Sequence, residues 1–259
     1  MSEGEVFTFL ISIAASAFFW WRWIAVLARA APGTSGVPIL LSSLAAVFFI
    51  LLAILLSLAS HDVRDSALYI IFYIVMGYAV VGLGLSAPKL VGLQAWDIAQ
   101  RNNHGAVILF LALTIANAFA FSGANIGDGP GFYVVLLCSL LSNGFLFASV
   151  IAHALLTRSM YRVLVDRDKL VAIRLAVLWV AIGLIAGRAV AGDWVSMSAT
   201  TSDFILRAFA AFLLLLIDLA WAKLVDRKPD SALRSLQLAI AILYFAGATA
   251  YLVLLGVPK

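Results

Sequence analysis

The sequence predicts an all-α polytopic membrane protein of about eight transmembrane helices, arranged as four tandem helical hairpins. Of its 259 residues, 64% are hydrophobic and 12% are charged, and the mean hydropathy is +1.10. A soluble domain has about half of its residues apolar and about a quarter charged. A single globule of this length cannot cover so much apolar surface. Lipid must therefore be the solvent for most side chains, which excludes a soluble enzyme and a disordered chain.

Eight continuous apolar stretches define the predicted helices in chain order. They cover residues 7–27, 38–58, 67–86, 105–121, 132–157, 170–191, 204–222 and 236–255. Each is about long enough to cross a hydrocarbon layer of about 30 Å as a helix. The stretches do not alternate in polarity, which argues against membrane strands. Pairing them in order predicts one transmembrane domain over residues 1–259, with repeats at about 5–60, 66–122, 131–193 and 202–258.

Basic residues alternate between the predicted loops. Thirteen of the 17 Lys and Arg residues lie in the loops that join the two helices of each hairpin. By the positive-inside rule these loops are cytoplasmic and both termini face outward. Interfacial tryptophans at the same helix ends support this orientation. They are Trp20, Trp21, Trp23, Trp96 and Trp221.

An internal similarity links the last two hairpins. Residues 164–167 and 224–227 both read Leu-Val-Asp-Arg, and the same 60-residue shift aligns Arg174 with Arg234 and Gly187 with Gly247. Eleven of the 24 positions from 164 to 187 are identical in this register. Parallel repeats of this kind predict a pseudo-symmetry axis along the membrane normal.

The loop before the fourth apolar stretch carries the most distinctive motif. Residues 96–106 read Trp-Asp-Ile-Ala-Gln-Arg-Asn-Asn-His-Gly-Ala, an acidic-to-Asn run that enters a small-residue helix. This run, within a tandem two-helix unit, resembles the DUF350 family of bacterial inner-membrane proteins over about residues 66–194. The resemblance implies that Asn103 opens the second helix of its unit, with Asp97 and Asn102 in the same motif. It also implies a location in the bacterial inner membrane. The following unit has Asp168 and Lys169 where the family has Asn.

Strongly polar side chains are few within the apolar stretches. Such residues are costly in hydrocarbon, so they normally face the bundle interior, where they pair or line a hydrated path. The candidates for an intramembrane polar path or ion pair are Asn117, Asn143, His153, Arg158, Arg174, Arg188, Asp203, Arg207 and Asp218. Asp218 is the carboxylate well inside an apolar run. We expect it to pair with Arg158, which the 60-residue shift puts at the same depth, or with Arg174.

Motifs for catalysis and cofactor binding are absent from the sequence. It has no HExxH, GxSxG or CxxC pattern, and its single cysteine, Cys138, lies in an apolar run. A haem held by His104 and His153 is conceivable, but interfacial histidines are more often solvated or hydrogen-bonded. We therefore expect no catalytic residue, no metal and no cofactor.

Three functions are compatible with these features. The first is a small transporter or channel-like protein, which requires Asn143, Asp203, Arg207 and Asp218 to line one hydrated cavity. The second is a non-catalytic membrane subunit or scaffold that docks a partner through its basic loops. The third, an intramembrane enzyme, lacks a catalytic constellation. The expected partners are the bilayer, anionic lipid head groups at the cytoplasmic face, and another copy of the chain or a membrane-complex partner, but not nucleic acid.

Overall fold

The protein is an all-α multi-pass membrane protein. A computed structural model describes residues 1–30, 32–34, 36–227 and 231–256, and the side chains of residues 226–235 lie outside the described part. Within the described residues, eight helical segments are long and apolar enough to cross a membrane, as predicted. The helices are α1 Glu3–Ala28, α2 Gly36–Ser57, α3 His61–Arg64, α4 Ala67–Gly84, α5 Ala95–Ala99, α6 His104–Gly123, α7 Phe132–Leu156, α8 Ser159–Leu164, α9 Lys169–Val190, α10 Met197–Arg207, α11 Phe209–Arg227 and α12 Ser231–Leu255. A short 3₁₀ helix, Ala87–Val91, follows α4.

Helices α6 and α9 form the centre of the bundle. In the most apolar stretch of each helix, 78% of the residues of α6 and 72% of those of α9 are buried within the protein. The corresponding values are 22% for α1 and 17% for α12. Glycines allow the two helices to approach closely, because a Cβ on Gly183 would meet the backbone of Ala116 and one on Gly187 the backbone of Phe119. The Gly183–Gly187 small-residue pair therefore packs within the chain.

The second helices of the four hairpins pack in chain order. Helix α2 contacts α6, α6 contacts α9, and α9 contacts α12. The first helices of the hairpins begin at Glu3, Ala67, Phe132 and Met197, which are 64, 65 and 65 residues apart. The described helices thus follow a regular spacing along the chain, although α1 packs on α4 and not on α2, and the basic loops lie at one end of the bundle. We call this the basic end.

The Leu-Val-Asp-Arg segments lie in different secondary structure. In the third hairpin α7 ends at Leu156, and Leu164 is the last residue of α8, whereas residues 224–227 complete the uninterrupted helix α11. Gly187 packs against α6, but a Cβ on Gly247 would meet nothing within 4 Å. The side chain of Arg234 lies outside the described residues. The helix starts therefore follow a spacing of about 65 residues and not the 60 of the sequence identities.

A common turn opens α6 and α9 at the basic end. Asn103 accepts hydrogen bonds from the amides of Gly105 and Ala106 at 2.9 and 3.3 Å, and Asp168 accepts from Leu170 and Val171 at 3.1 and 3.3 Å. In both turns the residue before the cap has a left-handed backbone, with φ 48° at position 102 and 56° at position 167. Carboxylate and amide oxygens are both good helix N-caps. Asp168 therefore caps α9 in the third hairpin as Asn103 caps α6 in the second.

The side chain of Asn103 also joins two hairpins. Its Nδ2 donates to the carbonyls of Val163 and Leu164 at 3.0 and 3.3 Å. Asp97 forms a 3.1 Å ion pair with Arg101 and accepts from the amide of Gln94. The three residues of the predicted loop motif therefore shape the turn and link it to the third hairpin.

Candidate functional site

A buried charged cluster lies between the last two hairpins. His153 Nε2 lies 2.6 Å from Asp218 Oδ2, the hydroxyl of Tyr244 donates to Oδ1 at 2.8 Å, and Arg174 Nε lies 3.2 Å from Oδ1. The side chains of His153, Asp218 and Arg174 are at most 1% exposed. The four residues come from α7, α9, α11 and α12. We call them the Asp218 cluster.

Hydroxyl groups connect this cluster to the basic end. Arg174 Nη2 donates to Ser159 Oγ at 3.1 Å. Thr157 Oγ1 lies 3.2 Å from His153 Nδ1, and its hydroxyl also donates to the His153 carbonyl at 2.9 Å. Thr157 is partly exposed at the break between α7 and α8. Both nitrogens of the imidazole thus have a polar neighbour, one toward Asp218 and one toward the basic end.

Both oxygens of the Asp218 carboxylate have polar partners, but the guanidinium of Arg174 has N–H groups without an acceptor in the part of the chain that the structure describes. The carboxylate has an imidazole, a phenol and a guanidinium around it, which compensate for its loss of hydration. Arg174 Nη1 has no hydrogen-bond partner among the described residues, and Nε, although 3.2 Å from Asp218 Oδ1, forms no hydrogen bond there. Arg174 is therefore held near the carboxylate by charge, while its hydrogen bond among the described residues goes from Nη2 to Ser159.

A polar face of α7 extends away from the cluster. Its buried members lie within about a third of the helix circumference and are Ser139, Ser142, Asn143, Ser149 and His153. Asn143 Nδ2 donates to the carbonyl and hydroxyl of Ser139, and its Oδ1 has no donor among the described residues. By helical rise this face covers about 21 Å, most of the hydrocarbon thickness.

The charged candidates at the opposite end do not join the cluster. Arg207 forms a 3.0 Å pair with Asp203 on the surface of α10, and donates to the carbonyl of Ala191. Arg188 donates to the carbonyls of Leu255 and Gly256 at 3.0–3.2 Å, so it caps the end of α12. The predicted convergence of Asn143, Asp203, Arg207 and Asp218 in one cavity is therefore not found.

Two other candidates also lie apart from Asp218. Asn117 on α6 donates to the carbonyl of Val81 at 3.4 Å and packs against Gly84, which joins α6 to α4. Arg158 is the residue before α8 and is exposed. The cation of Asp218 is Arg174, the second of the two expected partners. The reason is that α7 ends at Leu156, so residue 158 does not continue along the helix.

Three members of the site, Tyr244, Thr157 and Ser159, are not among the residues that the sequence predicts. Tyr244 was not considered because its ring is compatible with an apolar run, although a buried phenol hydroxyl needs a partner in lipid. Thr157 and Ser159 are common loop residues, and only the break after α7 gives them a role.

Metal binding is not supported by the donor set. His153 and Asp218 are two potential ligands, but the described residues contain no group of three or more His, Cys, Asp or Glu side chains that could hold an ion. Arg174 occupies the position next to the carboxylate and would repel a cation.

Comparison of the chain with protein-family models, with curated proteins and with solved structures finds no match. The resemblance to DUF350 proteins stays a prediction from the motif. The functional argument therefore depends on the Asp218 cluster and the polar face of α7.

Proposed function

We propose that this integral membrane protein is a small transporter that carries protons through its last two hairpins. Asp218 is the residue that takes up and releases the proton. The observation that carries the proposal is the 2.6 Å contact between His153 Nε2 and Asp218 Oδ2 in a water-excluded site. Ionisable residues inside a membrane protein commonly mark proton relays.

The imidazole supports a relay because its two nitrogens face different neighbours. A neutral imidazole can accept a proton at one nitrogen and release one at the other. Nδ1 faces the hydroxyl of Thr157 near the basic end, and Nε2 faces Asp218. A proton therefore needs two short transfers from the partly exposed Thr157 to reach the carboxylate. The polar face of α7 is the route we assign to the other side.

Protonation of Asp218 also has a mechanical consequence in this proposal. The neutral acid no longer balances the charge of Arg174, which is then buried without a counter-ion and costs several kcal/mol. A conformation in which Arg174 reaches water or another acceptor becomes favoured, as in any equilibrium biased by one protonation event. Because Arg174 lies on α9 and Asp218 on α11, this conformational change alters the contact between the third and fourth hairpins.

The test is proton flux in proteoliposomes that contain a pH-sensitive dye, under an imposed pH gradient with a defined membrane potential. His153→Gln is the sharpest variant, since the Gln amide can still donate to Asp218 but cannot relay a proton. We expect this variant to melt near the wild-type temperature and to lose at least about a hundredfold in flux, the lower end of the usual range for removing an acid–base group. Asp203→Asn, a change to an exposed carboxylate, is the matched control and should keep wild-type flux.

Two outcomes contradict the proposal. One is wild-type flux no greater than that of protein-free liposomes under any gradient and with either potential. The other is wild-type flux in both His153→Gln and Asp218→Asn.

A second candidate function, a non-catalytic membrane subunit, is favoured by one observation. The Asp218 cluster is fully enclosed, so it can act as a dry ion pair that fixes the last two hairpins. In that case no variant of the cluster changes flux, and Asp218→Asn lowers only thermal stability.

A further inference from the structure

A cavity of about 360 Å³ lies at the basic end between the first two hairpins. It is bounded by α1, α4, the 3₁₀ helix and α5, with α6 at its base. This volume is within the range of small-molecule sites, about 300–1,000 Å³. None of its lining residues belongs to the Asp218 cluster or to the polar face of α7.

The lining combines two cations with an apolar wall. Arg22 and Lys89 supply positive charge, and Leu85, Phe110 and Val26 are among the apolar residues that line the remainder. No acidic residue lines the cavity. Among the described residues neither Arg22 nor Lys89 has a carboxylate within ion-pair distance, and the guanidinium of Arg22 lies 5.3 Å from the centre of the Phe18 ring. The cavity therefore has uncompensated positive charge at its mouth.

A buried donor in the cavity wall has no acceptor. Trp23 lines the cavity and is 7% exposed, and its Nε1 has no hydrogen-bond partner among the described residues. Trp20, one turn earlier, is 6% exposed and donates to the carbonyl of Tyr78 at 2.9 Å. Buried indole N–H groups usually find a partner. Trp23 therefore has a spare indole N–H donor in a ring that lines the cavity.

We propose that this cavity binds the phosphate head group of an anionic phospholipid. Arg22 and Lys89 form charge-assisted hydrogen bonds to the phosphate oxygens, and Trp23 Nε1 donates to a further oxygen of the head group. The first segment of an acyl chain lies against Leu85 and Phe110. Arg22 and Lys89 are both exposed, so their charged groups can reach an anion at the membrane surface, whereas both would repel a cationic ligand. The inference does not depend on the transport proposal.

Native mass spectrometry of the purified, delipidated chain tests this site. The probes are phosphatidylglycerol, phosphatidylcholine with matched acyl chains, and inorganic phosphate. We expect at least one phosphatidylglycerol to bind at least about tenfold more tightly than phosphatidylcholine, since each basic residue at a membrane surface adds attraction for anionic lipid. The double variant Arg22→Gln/Lys89→Gln should lose this preference, and Trp23→Phe should weaken binding of the same lipid several-fold.

Arg29→Gln/Arg167→Gln is the matched control, because it removes the same charge from the basic end outside the cavity. It should keep the preference for phosphatidylglycerol. Equal loss in this control, or equal affinity of the wild type for the two lipids, overturns the specific site. Binding of inorganic phosphate without binding of phosphatidylglycerol overturns the lipid assignment in favour of a free anion.

A second measurement covers the case in which a variant does not fold. A photoactivatable phosphatidylglycerol, reacted with the wild-type chain, should label peptides that contain residues 22–26 and 85–96. Labelling confined to the outer faces of α11 and α12 contradicts the proposal.

Discussion

Two variants, Asp218→Asn alone and Asp218→Asn together with Arg174→Met, measure how strongly the buried pair holds the last two hairpins together. In the single variant, Asn has nearly the volume of Asp and can still accept from the hydroxyl of Tyr244, so the main loss is the negative charge. Arg174, whose side chain is 1% exposed, is then left without a counter-ion. Breaking one side of a buried pair costs about 3–5 kcal/mol. Because one hydrogen bond survives, we expect about 3 kcal/mol lower free energy of unfolding.

The double variant separates the pair from the rest of the site. Arg174→Met removes the cation, so Asp218→Asn in the same chain should cost about 2 kcal/mol less than it does alone, in line with coupling energies of contacting residues. Unfolding in mixed micelles with increasing SDS, followed by far-ultraviolet circular dichroism, gives the four free energies.

The exposed pair Asp203–Arg207 is the matched control. Its side chains are 57% and 35% exposed, and surface pairs contribute about 0–1 kcal/mol. Asp203→Asn/Arg207→Met should therefore change the free energy of unfolding by less than about 1 kcal/mol. If the effects of Asp218→Asn and Arg174→Met simply add, the two residues do not stabilise each other and the account of the cluster is refuted.

Three further predictions concern other parts of the molecule. A periplasmic reporter should be active when fused after Lys259 and inactive when inserted near Arg167, and the reverse pattern would contradict the orientation derived from the basic loops. Gly183→Leu should lower the free energy of unfolding by about 3 kcal/mol or prevent folding, because overpacking costs about 1–3 kcal/mol and the new atoms here meet backbone. Its control, Gly247→Leu, adds atoms in open space and should leave the free energy of unfolding nearly unchanged in the same assay. Asn103→Ala should cost about 1–2 kcal/mol, measured by thermal melting in detergent, because a helix cap is lost.

The sequence was sufficient for the helices but not for their interruptions. Apolar length alone locates eight spans, since few other structures satisfy the backbone in lipid. The break between α7 and α8 is different, because Thr157 and Arg158 are not strong helix breakers and tertiary packing decides it. Because of this break, residue 158 does not continue along α7 as the 60-residue shift assumed, and Arg174 is the cation beside Asp218.

The sequence did not predict the parts of the site that amphipathic side chains form, because such side chains have both an apolar ring and a polar group. Tyr244 is apolar over most of its ring, and only the three-dimensional contact with Asp218 shows its hydroxyl in use. The tryptophans of α1 show the converse. Trp20 and Trp23 were expected at the membrane interface, but they are buried between α1 and its neighbours, while Trp21 is 73% exposed. Amphipathic residues near a helix end can face protein or lipid, and composition does not distinguish the two.

The hydrogen bond from Asn103 to the carbonyls of Val163 and Leu164 has a consequence for biosynthesis. A chain leaves the ribosome N-terminus first, at about 5–20 residues per second. When α6 is complete, its acceptors on the third hairpin and the glycines of α9 have not been synthesised. Roughly 40 residues more, or about 2–8 s, must follow before Asn103 meets its acceptors, and roughly 60, or about 3–12 s, before the small-residue side of α6 meets the glycines of α9. The second hairpin therefore enters the bilayer before the partners of Asn103 and of α6 exist. The central pair of α6 and α9 forms only when the third hairpin is inserted beside it.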